Sequence, residues 1–493
     1  MRRSVLLATV LLLVLANSVR AEEETQAKPA SPRYLVICLD GVGYDLVEEM
    51  YRRGELRHFL PPVPVITAFP SLTNVSLVEI LGPLGAPPAR GYEDYYFDPA
   101  RNRMRGGIFQ RLSRKHFVAE TYRGLFHYHP NQVRMTLEYA LPVLGPWLNG
   151  AVTWGRIKAR FRKSKERMFL AYFDSSDLAT HVNGKWLVRR QLRALDRLAG
   201  ELRSNPDTPV EVIAFSDHGN GLRRMRKAKL KKALKRAGFH LARKLKDARS
   251  VILPQFGLVS AAVLYVQSGR EAALAEALRE TKGVNLSVYR RDGSLYVVGR
   301  GGRAQIQRRE AGGKVWFRYR TEEGDPLRLD SIAARLADTR QADAEGFLAE
   351  ESWLRATAGH IYPDPLRRLW SAFDGLVEQP ASVLVSLDDD YYTGSVWLDI
   401  FAWLRATHGN LRRAQSRGVI LSTDPALFLP DRGPFTGRNL FLRLAATWEH
   451  VVPSLTWLRE QGAARSQGRR SQTSPRMVGP ARRTPLAPSP CGR

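Results

Sequence analysis

Two cysteines in 493 residues, Cys38 and Cys491, exclude a disulfide framework and any thiolate metal site. Long apolar runs are also scarce: past residue 21, no stretch approaches the roughly 20 apolar residues of a membrane-crossing helix. Acidic residues are outnumbered, with Asp+Glu 48 against Lys+Arg 76 and a formal net charge of +28. That imbalance points first to a polyanionic partner. What is present is a globular composition, 44% hydrophobic and 25% charged, in a chain too long for one ordinary domain.

The N-terminus carries Arg2 and Arg3, then an apolar stretch from Val5 to Ala16, then Val19-Arg20-Ala21 and three glutamates. A basic head, a short apolar segment and small residues at the cleavage point form the layout of a secretory signal peptide, residues 1–21. The mature protein is therefore expected to be soluble in the periplasm or secreted.

Short apolar runs from Tyr34 to Leu39, Met168 to Phe173, Val210 to Phe215, Ser382 to Leu387 and Gly418 to Ser422 read as buried strands. Helix-like stretches such as Lys185 to Leu202 and Ser395 to Ala406 lie between them. The alternation predicts an α/β fold, a mostly parallel sheet flanked by helices, built from residues 30–225 and 379–455. Residues 226–378 read as an inserted α+β subdomain with hairpin turns at Asp292-Gly293 and Gly312-Gly313. Gly299 to Gly302 lacks a strand-to-helix context and reads as a hairpin turn rather than a phosphate loop. The Arg/Ser/Pro-rich tail, 463–493, has a disordered composition.

Three predicted strands run into acidic and histidine residues: Leu39 into Asp40-Gly41, Phe173 into Asp174-Ser175-Ser176-Asp177 with His181 beyond, and Phe215 into Ser216-Asp217-His218-Gly219. In an open α/β sheet the carboxyl ends of the strands border one crevice, where distant residues converge. Carboxylates and imidazoles without thiolates suit a hydrolytic divalent-metal site, zinc or manganese. Each piece alone has a plainer reading. Asp-Gly is a common turn, and residues four apart, such as Asp177 and His181, share a helix face without any metal.

Taken together, Asp40 in Leu-Asp-Gly, Phe69-Pro70-Ser71-Leu72-Thr73, Asp177-x-x-x-His181, Ser216-Asp217-His218-Gly219 and Thr407-His408-Gly409 stand in a telling order. The sequence resembles the alkaline phosphatase superfamily, in its nucleotide pyrophosphatase/phosphodiesterase-like branch. The motifs cover residues 34–82, 168–221 and 383–423. The resemblance implies two zinc ions, one held by Asp177, His181 and His408 and the other by Asp40, Asp217 and His218, with Thr73 at the second as nucleophile. Thr73 precedes a predicted helix, Asn74 to Leu81, whose free amides would face phosphoryl oxygens. Taken alone, a threonine there reads as a helix cap.

These roles predict hydrolysis of phosphate esters, in the manner of a phosphodiesterase or nucleotide pyrophosphatase, through a covalent phosphothreonine. The alternatives are a phosphomonoesterase or a sulfate- or phosphonate-ester hydrolase of the same superfamily, or a non-catalytic polyanion-binding protein with the same fold. Where related enzymes carry a phosphoryl-binding asparagine, this chain carries Asp94, whose carboxylate favours a less charged diester over a phosphate dianion.

The positive charge then divides. Arg2, Arg3 and Arg20 lie in the signal, the tail holds seven arginines and no acid, and residues 223–249 hold 13 Lys/Arg and one Asp. That last cluster suits an anionic membrane surface or polyanion, and no specific nucleic-acid recognition is expected.

Overall fold

The computed structural model describes residues 32–107, 110, 113, 118–141, 143–204, 209–395, 404–427 and 434–447. The predicted signal peptide, the tail and most of the predicted helix Ser395 to Ala406 lie outside these residues.

A six-stranded sheet forms the centre, ordered Phe435–Thr436, Val63–Ile66, Arg417–Ser422, Val210–Ser216, Arg33–Leu39, Met168–Phe173. Arg33–Leu39 runs parallel to both of its neighbours, while Arg417–Ser422 runs antiparallel to both of its own. Successive residues of a strand point to opposite faces, and here both faces are buried. Leu35, Ile37 and Leu39 pack with the helices Tyr44–Arg52, Gly145–Lys163 and Lys185–Arg203. Tyr34, Val36 and Cys38 pack on the other side with Thr73–Leu81 and Gly437–Thr447. The result is an α/β sheet with helices on both faces.

Antiparallel pairs join a second, seven-stranded sheet. Its hairpins turn at Asp292-Gly293 (φ 50° and 71°) and Gly312-Gly313 (φ 59° and 71°), the two left-handed positions of a type I′ turn. Gly299 pairs with Gly302 across a further hairpin turn, as expected.

One strand expectation is corrected. Val383–Leu387 belongs to this second sheet, antiparallel to Ala261–Leu264 and Val284–Arg291, and not to the central one. A fully apolar run suits either sheet, because both faces of each are covered. The second sheet does not stand apart, since Leu286, Val288, Ile306 and Phe317 join the apolar cluster that covers one face of the central sheet. Among the described residues, no helix is long and apolar enough to cross a membrane.

Candidate metal centre

Strand register creates the site. Leu39 pairs with Phe173 on one side and Ser216 on the other, so the three strands end level and deliver Asp40, Asp174 and Asp217 to one edge. The helix Ser175–Val182 begins at that edge and presents Asp177 and His181, four residues apart, on one face. His408 arrives on the loop before the short helix Arg413–Ser416, which leads into Arg417–Ser422.

Close approach is built into the backbone. Gly41 has φ 69°, and a Cβ there would lie 2.5 Å from Asp177 Oδ1, so only glycine lets the Asp177 carboxylate sit against this turn. The Gly41 amide donates to Asp217 Oδ1 at 3.1 Å.

Two groups of side chains meet closely enough to hold a metal ion: Asp40, Asp217 and His218, and Asp177, His218 and His408. In the first, His218 Nε2 lies 3.4 Å from Asp40 Oδ1 and 3.6 Å from Asp217 Oδ2. In the second, His408 Nε2 lies 3.7 Å from Asp177 Oδ1. His181 joins the same neighbourhood, with Nε2 3.2 Å from Asp177 Oδ2 and its ring 5.3 Å from that of His408. The two expected sets are therefore contiguous. The rings of His218 and His408 stack at 3.8 Å, which carries His218 into both groups.

The donor set fits a divalent cation on three counts. Each histidine uses Nδ1 on a backbone carbonyl: His181 on Ala406 at 2.8 Å, His218 on Gly219 at 3.0 Å and His408 on Ser71 at 2.7 Å. That fixes the proton on Nδ1 and leaves Nε2 free to ligate, the usual arrangement around metal-bound imidazoles. Second, Asp177 Oδ1 and Asp217 Oδ2 are buried without a hydrogen-bond partner, which is costly unless something else occupies them.

Third, the protein alone balances this charge poorly. Burial pushes the Asp217 carboxyl up to about 8, against the pull of His218. Burial also opposes a charge on His218, yet Asp217, Asp40 and Asp177 draw it up to about 10. Burial and the neighbouring His218 hold His408 down to about 3. Burial opposes ionisation of Asp177 too, but His181 and His408 hold its pKa below the usual carboxylate range. Three carboxylates in a dry site are the charge a divalent cation neutralises.

Thr73 opens the helix Thr73–Leu81, one residue earlier than expected, with Leu72 at the N-cap and no side-chain cap. The capping alternative therefore fails. Its Oγ1 lies 3.3 Å from both Asp40 Oδ1 and His218 Nε2, inside the first group. Asp94 belongs to neither group. It stands half-buried before the hairpin of Tyr95–Asp98 and Arg103–Gly106, and its carbonyl accepts the Gly107 amide at 3.0 Å.

Some supporting residues carry no signal in the sequence. Tyr172 donates its hydroxyl to Asp40 Oδ2 from within its strand. Arg368, on the helix Pro365–Phe373, is fully buried and donates to the carbonyls of Thr67 (2.6 Å), Ala68 (3.2 Å) and Leu411 (3.1 Å) and to the hydroxyls of Ser71 (3.2 Å) and Ser416 (2.6 Å). It thereby ties the loop before Thr73 to the loop after His408. The second sheet's region braces the same loop, because Ser260 donates its amide to the His408 carbonyl at 2.7 Å and Leu258 accepts the Thr407 hydroxyl at 2.6 Å.

No protein-family model matches the chain, and no curated protein matches it. Among solved structures it is similar to human ectonucleotide pyrophosphatase/phosphodiesterase 5, at 13% identity and TM-score 0.45, over 85% of this chain and 95% of that one. The murine protein of the same name gives 13% identity, TM-score 0.45 and the same coverage. Phosphonoacetate hydrolase from Sinorhizobium meliloti 1021, in complex with phosphonoformate, gives 13% identity and TM-score 0.46 over 85% of this chain and 96% of that one.

Proposed function

We propose that the chain is an extracytoplasmic phosphate-ester hydrolase of the alkaline phosphatase superfamily, phosphodiesterase- or nucleotide pyrophosphatase-like, using two zinc ions and a covalent phosphothreonine at Thr73. The observation that carries this reading is the meeting of the Thr73 hydroxyl with Asp40 and His218 at a helix N-terminus, beside a second carboxylate–imidazole group.

Asp177, His181 and His408 would hold one ion, and Asp40, Asp217 and His218 the other. Bound divalent cations would supply positive charge to the phosphoryl oxygens and ease loss of the Thr73 proton. Thr73 Oγ1, its proton released to solvent, attacks phosphorus; the bond to the departing oxygen breaks and that oxygen leaves with the electron pair. Water then cleaves the phosphothreonine ester and restores the hydroxyl. The first amides of Thr73–Leu81 have no partner within the helix and face the incoming anion. Asp94, at the position where the resemblance implies a phosphoryl-binding asparagine, would bias the site toward diesters, since a carboxylate there repels a dianion more than a monoanion.

The test is turnover of matched aryl phosphate mono- and diesters by wild type and Thr73→Ala. The reading predicts diester hydrolysis that Thr73→Ala abolishes with bound metal retained, and full activity in the variant would contradict it. Zinc-bound protein inert on both esters would redirect the reading to sulfate or phosphonate esters. The basic segment 223–249, exposed over most of its length, is proposed to attract anionic surfaces, an attraction that rising salt weakens.

A further inference from the structure

Among the described residues, eleven large hydrophobic side chains are exposed, and nine of them lie between residues 133 and 186. They form stripes. Val133, Leu137 and Leu141 recur every four residues along the helix Gln132–Ala140 and its end, and Leu144, Leu148 and Val152 do the same at the start of Gly145–Lys163. Residues four apart share a helix face, so each helix presents one apolar face outward.

This pair buries polar side chains beside the apolar Met135, Trp154, Ile157 and Phe161. Its inward side carries Glu138, Asn149 and Thr153, bridged by Arg134 and by Ser175 of the helix that bears Asp177 and His181. A surface helix in water keeps its polar residues outward. Leu137 and Leu144 are instead 61% and 59% exposed. Trp186, 63% exposed, stands just beyond His181, and Asn183 donates to the Val143 carbonyl at 3.0 Å, which ties the apolar face to the rim of the metal centre.

The charge around this face is predominantly positive. Residues 131–165 hold seven Lys/Arg and a single acid, Glu138, which is buried. Glu201 takes up Lys158 and Arg162, whereas Arg156, Lys163 and Lys165 are exposed and have no ion-pair partner among the described residues. A second copy meeting this face isologously would set like charges together. Apolar side chains with tryptophan among them and unpaired cations beside them match the boundary of an anionic bilayer.

We propose that the helices Gln132–Ala140 and Gly145–Lys163, with Trp186, dock the protein on anionic lipid surfaces and insert their apolar stripes, which holds the mouth of the metal centre at the bilayer. This docking is independent of the reaction the site performs.

The experiment is cosedimentation of the full protein with phosphatidylglycerol–phosphatidylcholine vesicles and with pure phosphatidylcholine vesicles. Wild type should bind the anionic vesicles and not the zwitterionic ones. Leu137→Glu/Leu144→Glu/Trp186→Ser should weaken binding at least about tenfold, and Lys163→Gln/Lys165→Gln about tenfold. Both variants change exposed positions, and unfolding midpoints confirm that each stays folded. The proposal is overturned if the apolar variant binds like wild type, or if Lys231→Gln/Lys232→Gln/Lys235→Gln alone abolishes binding. It is also overturned if wild type is a lipid-free dimer that the apolar variant makes monomeric.

Discussion

Two buried charged clusters lie on either side of the same loop, and Ser71 touches both. In one, Asp364 and Glu79 face Arg367 and Arg368, two charges of each sign, and Arg368 reaches six residues beyond the carboxylates it lies near. In the other, three carboxylates meet three imidazoles whose Nδ1 atoms are already engaged, and two carboxylate oxygens have no hydrogen-bond partner, against one carboxylate oxygen of Glu79 and one guanidinium nitrogen of Arg367 in the first. Both clusters are largely buried, the second slightly less so, since Asp177 and His181 each keep 14% of the side chain exposed. Buried charge alone therefore does not mark a site; what separates the second cluster is an excess of acceptors aimed at one place. The first holds loops together, and the second is short of cations.

The contrast is tested most severely at Thr73. Thr73→Ala should lower turnover on the order of 10⁴-fold or more, with zinc content and the unfolding midpoint close to wild type. A large loss of stability would place Thr73 among the structural residues instead. Arg367→Met should do the reverse: Glu79 and Asp364 lose their buried partner, at a cost of about 3–5 kcal/mol by urea unfolding, while the metal content of the folded fraction holds.

Tyr172→Phe probes the seam between the clusters' roles. Removing the hydroxyl that orients Asp40 should weaken metal affinity about 10–100-fold, read by competition with a chelator. An unchanged affinity would make Tyr172 a packing residue only.

The smallest effect lies on the second sheet, where Arg279 and Arg303 hold the exposed Glu323 carboxyl down to about 2 from an ordinary 4.5. A depressed folded pKa contributes stability that is present above about 4.5 and lost as pH falls toward 2. Glu323→Gln should flatten that part of the acid-unfolding curve and leave neutral pH nearly untouched. Equal acid sensitivity in both proteins would show that the pairing is not felt.

The central strands are legible because apolar runs end abruptly in Asp40, Asp174 and Asp217, and the fold then sets those ends level. The spacing of Asp177 and His181 is legible for the same local reason. Val383–Leu387 is not, since a run buried on both faces carries no mark of the sheet it joins. Arg368 is hidden for a different reason. In a chain with 76 Lys/Arg, one more arginine looks like surface, and its partners are backbone carbonyls that no side-chain pattern announces. Tyr172 likewise reads as strand packing until its hydroxyl is seen on Asp40. The net charge of +28, prominent in the sequence, contributes nothing to the Asp/His cluster, which is acidic.

The central claim is that the Asp/His cluster holds divalent cations, and elemental analysis of freshly purified, unchelated protein tests it most directly. The account predicts close to two zinc ions per chain in the wild type, with a clear loss in Asp177→Asn. Protein that is folded and free of divalent metal, or a zinc content indifferent to Asp177→Asn, would contradict it.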